Sequence, residues 1–117
     1  MASVLILDDH EDLLRVLAEA VALSGHQVLQ ARTGTEGLRL LESGAMPDVI
    51  LCDIMMPDMN GIAFLQHVRA MPAYERVRFI VMSGNGGDRS AVLAAGANDY
   101  IAKPFSIPDL LHILESA

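Results

Sequence analysis

Val4-Leu5-Ile6-Leu7 is an uninterrupted apolar run that ends on two aspartates, Asp8-Asp9. Four apolar residues, two of them β-branched, suit a strand buried on both faces. The apolar period then changes. Leu13, Val16, Leu17 and Ala20 fall at i, i+3, i+4 and i+7, the spacing of one helix face. Glu11 and Asp12 belong to its first turn, where carboxylates suit the helix dipole. Ser24-Gly25 marks its end, glycine being the usual residue just past a helix C-terminus. A doubly buried strand leading at once into an amphipathic helix is the opening of a βαβ unit.

The rest of the chain repeats this scheme. Gln27 to Ala31 reads as a strand, and Thr33-x-x-Glu36 has capping-box spacing. Gly34, Gly37, Leu38 and Leu41 form the stripe of the helix that follows. Asp48 to Cys52 is the third strand, followed by Asp53 and a loop to Met59, then a helix from about Asn60 to Ala70. Arg78 to Met82 is the fourth strand, ending at Ser83. A glycine-rich loop leads from it to a short helix, about Asp88 to Ala95. Asp99 to Ala102 is the fifth strand, ending at Lys103-Pro104. Ser106-Ile107-Pro108-Asp109 opens the last helix, with Ile107, Leu110, Leu111 and Leu114 as its stripe. Five alternating strands and helices predict a parallel sheet covered on both faces, with right-handed crossovers.

Composition bounds what such a domain does. The chain has 117 residues, 52% apolar, and a formal net charge of −7. A chain of this length buries about two-thirds of its unfolded surface and needs no disulfide or metal staple. Fifteen acidic residues against eight basic ones argue against direct nucleic-acid or anionic-membrane binding, which need a basic footprint. No apolar run approaches membrane-spanning length, and the N-terminus lacks the pattern of a signal peptide. The single cysteine, Cys52, excludes an intrachain disulfide and fits a reducing, cytoplasmic setting. Only one of the eight basic residues is lysine, Lys103.

Parallel strands place all their C-terminal ends on one edge, and ligands of such sheets bind there. The residues at those ends are Asp8-Asp9, Asp53, Ser83 and Lys103. Three crowded carboxylates repel one another and lose solvation, so they are kept where a cation or a reaction occupies them. Oxygen-only donors at a shallow site suit Mg²⁺, which keeps several waters. Ser83 and Lys103 add two donors toward anionic oxygens. Carboxylates, a hard cation, a hydroxyl and an ammonium suit phosphoryl transfer, with one carboxylate attacking phosphorus.

At this point the sequence resembles the receiver domain of response regulators in two-component signalling. The resemblance rests on Leu5-Ile6-Leu7-Asp8-Asp9, Asp53 to Gly61, Val81-Met82-Ser83-Gly84, Ala95 to Tyr100 and Lys103-Pro104-Phe105, in order and each at a strand end. It spans essentially all of residues 1–117. It implies a single doubly wound (βα)5 domain, flavodoxin-like, with strand order 2-1-3-4-5. Asp53 is implied as phosphoacceptor, and Asp9 as a direct Mg²⁺ ligand with Asp8 acting largely through water. The backbone carbonyl of Met55 completes that shell. Lys103 meets the phosphoryl group, Ser83 donates to it, and Tyr100 matches an aromatic switch position. The Lys103-Pro104 bond is expected to be cis. The implied donor is a phosphohistidine on a sensor histidine kinase or a histidine phosphotransfer domain. The domain turns over no external substrate and acts as a monomer or weak dimer, either alone or as part of a longer chain.

Ser83 and Gly96 are 13 residues apart, about two fewer than the resemblance leads one to expect. The fourth helix is therefore expected to be short or mobile. Met55 suggests a shield over Asp53, and Asn85 a group that holds water; the residues alone do not choose between them. A rival reading, a phosphohydrolase with an aspartate nucleophile, wants a carboxylate at position 55, where Met55 stands. A binding module that works without phosphorylation leaves Asp8, Asp9, Asp53, Ser83 and Lys103 without a purpose. Singly, Asp8-Asp9 reads as a helix cap, Cys52 as strand packing, and His10, His26, His67 and His112 as surface residues without metal spacing.

Overall fold

The computed structural model describes residues 2–84 and 89–115. Five strands alternate with five helices: β1 (Ser3–Leu7), α1 (Glu11–Leu23), β2 (Gln27–Ala31), α2 (Gly34–Glu42), β3 (Val49–Asp53), α3 (Gly61–Ala70), β4 (Arg78–Ser83), α4 (Arg89–Ala94), β5 (Asp99–Ala102) and α5 (Ile107–Glu115). A one-turn 3-10 helix, Pro72–Tyr74, joins α3 to β4. All pairings are parallel and the strand order is β2-β1-β3-β4-β5, as expected.

The sheet divides the core in two. On one face Leu5, Leu7, Ile50, Cys52, Phe79 and Val81 pack with α2, α3 and α4. On the other, Val4, Ile6, Leu51, Ile80 and Met82 pack with α1 and α5. All five residues of the central strand β3 are buried, which the apolar run predicts for a strand covered on both sides. Each fully buried Leu or Ile here contributes roughly 2 kcal/mol relative to exposure.

The α1 face is rotated from its expected setting. Leu14, Leu17, Ala18 and Val21 are buried, whereas Val16 is 50% exposed. Both sets obey the same i, i+3, i+4, i+7 rule, so periodicity alone did not separate them. Contact with the sheet selects the Leu14 set, and Leu13 turns toward the β5–α5 side, where it packs only partly. The α2 stripe is as read: Gly34, Gly37 and Leu41 are buried. At Gly37 an added Cβ would lie 2.5 Å from Leu7 Cδ2, so α2 approaches the sheet as closely as only glycine allows.

Several boundaries shift by one residue, two of them at the site. Asp53 is the last residue of β3 and Ser83 the last of β4, rather than the first residues beyond them. Among the described residues the fourth helix is short, six residues, as the Ser83–Gly96 spacing predicts. The expected start at Asp88, and the loop residue Asn85, lie outside the described residues. Lys103-Pro104 is cis. His26 departs from its surface reading. Its side chain is only 10% exposed; Nδ1 accepts the Ala2 N–H, and Nε2 lies 3.2 Å from Glu115 Oε2.

Candidate functional site

Strand register sets the site. Leu7 pairs with Cys52, so the next residues, Asp8 and Asp53, continue side by side at the C-terminal edge. Asp53 in turn pairs with Met82, and Ser83 with Ala102, the residue before Lys103. Between β1 and β3 the strand order reverses, which is where open parallel sheets bind ligands. Backbone hydrogen bonds fasten each end: Asp8 N–H donates to Ala31 O (3.1 Å), Ile54 N–H to Met82 O (3.0 Å) and Lys103 N–H to Ser83 O (2.7 Å). Alternation sends Cys52 to the opposite side, where it is fully buried in the core around α2 and α3. Burial foremost, with Asp53 and Asp8 adding, pushes its thiol well above the ordinary value, so it is a packing residue.

Among the described residues the buried polar side chains are Asp8, Asp53 and Ser83, and all three lie on this edge. Lys103 Nζ stands 3.0 Å from Asp8 Oδ2 and 3.3 Å from Asp53 Oδ2. The Asp8 carboxylate also accepts the His10 N–H at 2.9 Å, and Asp53 Oδ1 accepts the Met55 N–H at 3.4 Å. Asp8-Asp9 does not cap α1: His10 holds the N-cap position, without a side-chain hydrogen bond. Burial pushes the Asp53 carboxyl above its ordinary value; Lys103 opposes this and Asp8 reinforces it. Burial works against the Lys103 charge, but Asp8 and Asp53 together outweigh it and raise its pKa.

Asp8, Asp9 and Asp53 each offer a carboxylate oxygen within 4.8 Å of the others. Three carboxylates and one ammonium leave two uncompensated negative charges. The donor set is all oxygen, two of its residues are buried and Asp9 is exposed. That chemistry fits a hard divalent cation. A recess of about 330 Å³ lined by Leu13, Lys103, Pro104 and Phe105 opens beside it. The Met55 side chain is 65% exposed. Tyr100 is only 7% exposed, its ring in the core and its hydroxyl buried without a hydrogen-bond partner among the described residues.

Two residues that tie distant segments together were not singled out from the sequence, although Asp58 lies within the Asp53 to Gly61 segment. Asp58 acts beside the site and Arg69 at the opposite edge of the sheet. Asp58 accepts the Gly34 N–H (3.0 Å), the Thr35 N–H (2.8 Å) and the Thr35 hydroxyl, all on α2. Arg69 donates to the carbonyls of Gly96, Tyr74, Glu75 and Val77 and to Asn98 Oδ1, tying the end of α3 to the α4–β5 turn. Each acts on partners more than four residues away, and neither has a periodic pattern to betray it.

A flavodoxin-like α/β domain with buried carboxylates, a lysine and a serine at its switch point defines a phosphoacceptor class of signalling domain. Comparison with known proteins places the chain within that class: it belongs to the response regulator receiver domain family, whose model matches residues 4–115. It is 36% identical over 119 residues to the transcriptional regulatory protein KdpE of Mycobacterium tuberculosis, covering 100% of this chain and 51% of KdpE. It is 35% identical over 114 residues to a chemotaxis protein CheY homolog of Campylobacter jejuni, covering 95% of this chain and 88% of that protein. The receiver domain of sensor histidine kinase PA1611 from Pseudomonas aeruginosa superposes with a TM-score of 0.88 at 31% identity, covering 97% of this chain and 94% of that one. That structure holds a magnesium ion in its active-site cleft. The chain spans about half the length of the transcriptional regulators it matches. Among the described residues no helix is long and apolar enough to cross a membrane.

Proposed function

We propose that residues 1–117 form one receiver domain in which Asp53 accepts a phosphoryl group from a phosphohistidine. The donor is a sensor histidine kinase or a histidine phosphotransfer domain. The carrying observation is that the buried polar residues Asp8, Asp53 and Ser83 gather with Lys103 at one sheet edge. An ionised Asp53 oxygen attacks phosphorus. The P–O bond forms as the P–N bond breaks, and the imidazole leaves with the electron pair and takes up a proton from solvent. Lys103 already stands over Asp53 and meets the incoming phosphoryl oxygens. Ser83, at the end of the adjacent strand, donates a hydrogen bond from its hydroxyl to the attached group.

Asp9 directly, Asp8 through water, Asp53 and the Met55 carbonyl would hold Mg²⁺. When bound, the ion neutralises charge that builds on the phosphoryl oxygens. Self-catalysed hydrolysis of the acyl phosphate completes the cycle, with no external substrate turned over. Phosphorylation replaces one negative charge by about two, so geometry carries most of the signal. Ser83 drawn toward the new group moves the end of β4, and Tyr100, whose backbone pairs with Val81, reads that movement out to the surface of β5 and the last two helices. An acidic monomer or weak dimer in the cytoplasm fits this role, and the unpaired Cys52 fits its reducing conditions.

Intact mass after incubation with a small acyl phosphate and Mg²⁺ tests the reading. One added phosphoryl group, absent in Asp53→Asn, is the expected result. No gain from either the small donor or a histidine kinase would overturn it in favour of phosphorylation-independent binding.

A further inference from the structure

The loop between β3 and α3 carries the Met55 N–H, which Asp53 Oδ1 accepts at 3.4 Å, and it is moored at three places. At its start Ile54 N–H donates to Met82 O, and at its end Gly61 N–H donates to Ile54 O at 2.8 Å. The third mooring is unlike these two. Asp58 reaches across to the first turn of α2, 23 and 24 residues earlier, and accepts three hydrogen bonds there from Gly34 and Thr35.

The mooring is built from both sides. A helix N-terminus presents four backbone N–H groups without intrahelical partners. In α2 three of these are held by side chains: Gly34 and Thr35 donate to Asp58 and Glu36 donates to Thr33 Oγ1 (3.0 Å), while the Gly37 N–H makes the first intrahelical bond, to Thr33 O (3.1 Å). Thr33 is the local cap, and Asp58 is a second cap brought from the phosphoacceptor loop. The next loop residue, Met59, packs on the same turn. A Cβ on Gly34 would lie 2.4 Å from Met59 Cγ, so glycine is what lets the loop sit flat on α2. Thr35 first and the two N–H groups after it hold the Asp58 carboxyl at about 2, so the mooring stays ionised through the neutral range.

We infer that Asp58 is a positioning residue: by binding the first turn of α2 it holds the β3–α3 loop so that the Met55 backbone faces Asp53. This rests on the reading of Asp53 as phosphoacceptor and of the Met55 carbonyl as a ligand for the divalent cation. Asp58 touches neither the phosphoryl group nor the cation. It acts through the loop, as outer groups that orient metal ligands do, whose loss costs about 10-fold or more in affinity or activity.

The test compares wild type, Asp58→Ala, Thr35→Val and Thr35→Ser, each first checked for fold by circular dichroism. Amide resonances of residues 54–56 and 58–60 are followed by NMR during titration with MgCl₂ alone. Phosphorylation by a small acyl phosphate is followed by intact mass. Asp58→Ala and Thr35→Val are expected to raise the Mg²⁺ concentration at half-saturation, by about 10-fold in Asp58→Ala. Both are expected to speed hydrogen exchange in the loop and slow phosphorylation, while Thr35→Ser keeps wild-type values. If Asp58→Ala does not fold, Thr35→Val, which removes one hydrogen bond, carries the comparison. Folded variants with wild-type Mg²⁺ titration and wild-type phosphorylation would overturn the inference, leaving Asp58 a helix cap only. A wild-type protein that gains no phosphoryl group defeats the phosphoacceptor reading instead, and the Mg²⁺ titration still decides the positioning role.

Discussion

Lys103 Nζ lies 3.0 Å from Asp8 Oδ2, joining residues 95 positions apart across the C-terminal edge of the sheet. Asp8 is fully buried and the lysine side chain is 22% exposed. The same ammonium also reaches Asp53, so one cation serves two desolvated carboxylates.

Removing that cation strands both. Breaking one side of a buried pair costs about 3–5 kcal/mol, and the partial exposure of Lys103 puts it at the low end. Lys103→Met is expected to lose about 3 kcal/mol of metal-free stability in urea unfolding. Mg²⁺ then replaces the missing positive charge, so the variant gains more in Tm from Mg²⁺ than wild type does. Equal Tm gains in the two proteins would contradict this account.

Asp53→Asn is expected to act in the opposite direction. Burial raises the folded-state pKa of Asp53 above its ordinary 3.8, so the folded chain binds this proton more tightly than the unfolded chain. The resulting stability is present below 3.8 and is lost as pH rises through the raised folded value. Asparagine removes that loss, and Lys103 keeps Asp8 as its partner. Without metal, Asp53→Asn is expected to have a higher urea midpoint than wild type at pH 7, the two converging below about pH 4. A lower midpoint at pH 7 would show that the Lys103–Asp53 attraction outweighs the burial cost.

Gly61 is where α3 meets the phosphoacceptor strand. A Cβ there would lie 2.7 Å from Asp53 O and 2.9 Å from Ile54 Cα, both backbone atoms with no room to yield. Gly61→Ala is expected to destabilise by about 2 kcal/mol and to slow Asp53 phosphorylation. At Gly84, where nothing among the described residues lies within 4 Å of the added Cβ, alanine should change stability by no more than about 0.5 kcal/mol. Chemical denaturation of the two variants side by side checks the contrast.

Tyr100 keeps a buried hydroxyl with no partner among the described residues, its ring 5.9 Å from the Arg89 guanidinium carbon. An unsatisfied buried hydroxyl costs about 1–3 kcal/mol. Tyr100→Phe is therefore expected to raise the Tm of the unphosphorylated protein, by about 1 kcal/mol of stability. A drop in Tm would mean the hydroxyl is satisfied in solution.

Much of the fold was legible because its signals are local. Strand runs such as Val4–Leu7 and Arg78–Met82 are short, apolar and followed at once by a helical period. Thr33 was legible as a cap because its partner, Glu36, is three residues on. The α1 face was not legible, since Leu13 and Leu14 begin two equally good apolar stripes and only the sheet discriminates between them. His26 was misread for a similar reason: its partners, Ala2 and Glu115, come from the two ends of the chain. Arg69 looks like any helix-end arginine until the carbonyls of Tyr74, Val77 and Gly96 close around it.

By itself the sequence determined which residues end the strands, and parallel topology then requires Asp8, Asp53, Ser83 and Lys103 to share an edge. Strand identity follows from local pattern, and the edge follows from chain direction. Only the tertiary structure decided that Lys103 stands between Asp8 and Asp53, that Asp8 is buried while Asp9 is exposed, and that Asp58 accepts hydrogen bonds from the first turn of α2. These depend on register and packing between segments far apart in the chain, and no local periodicity encodes the distance between two such side chains.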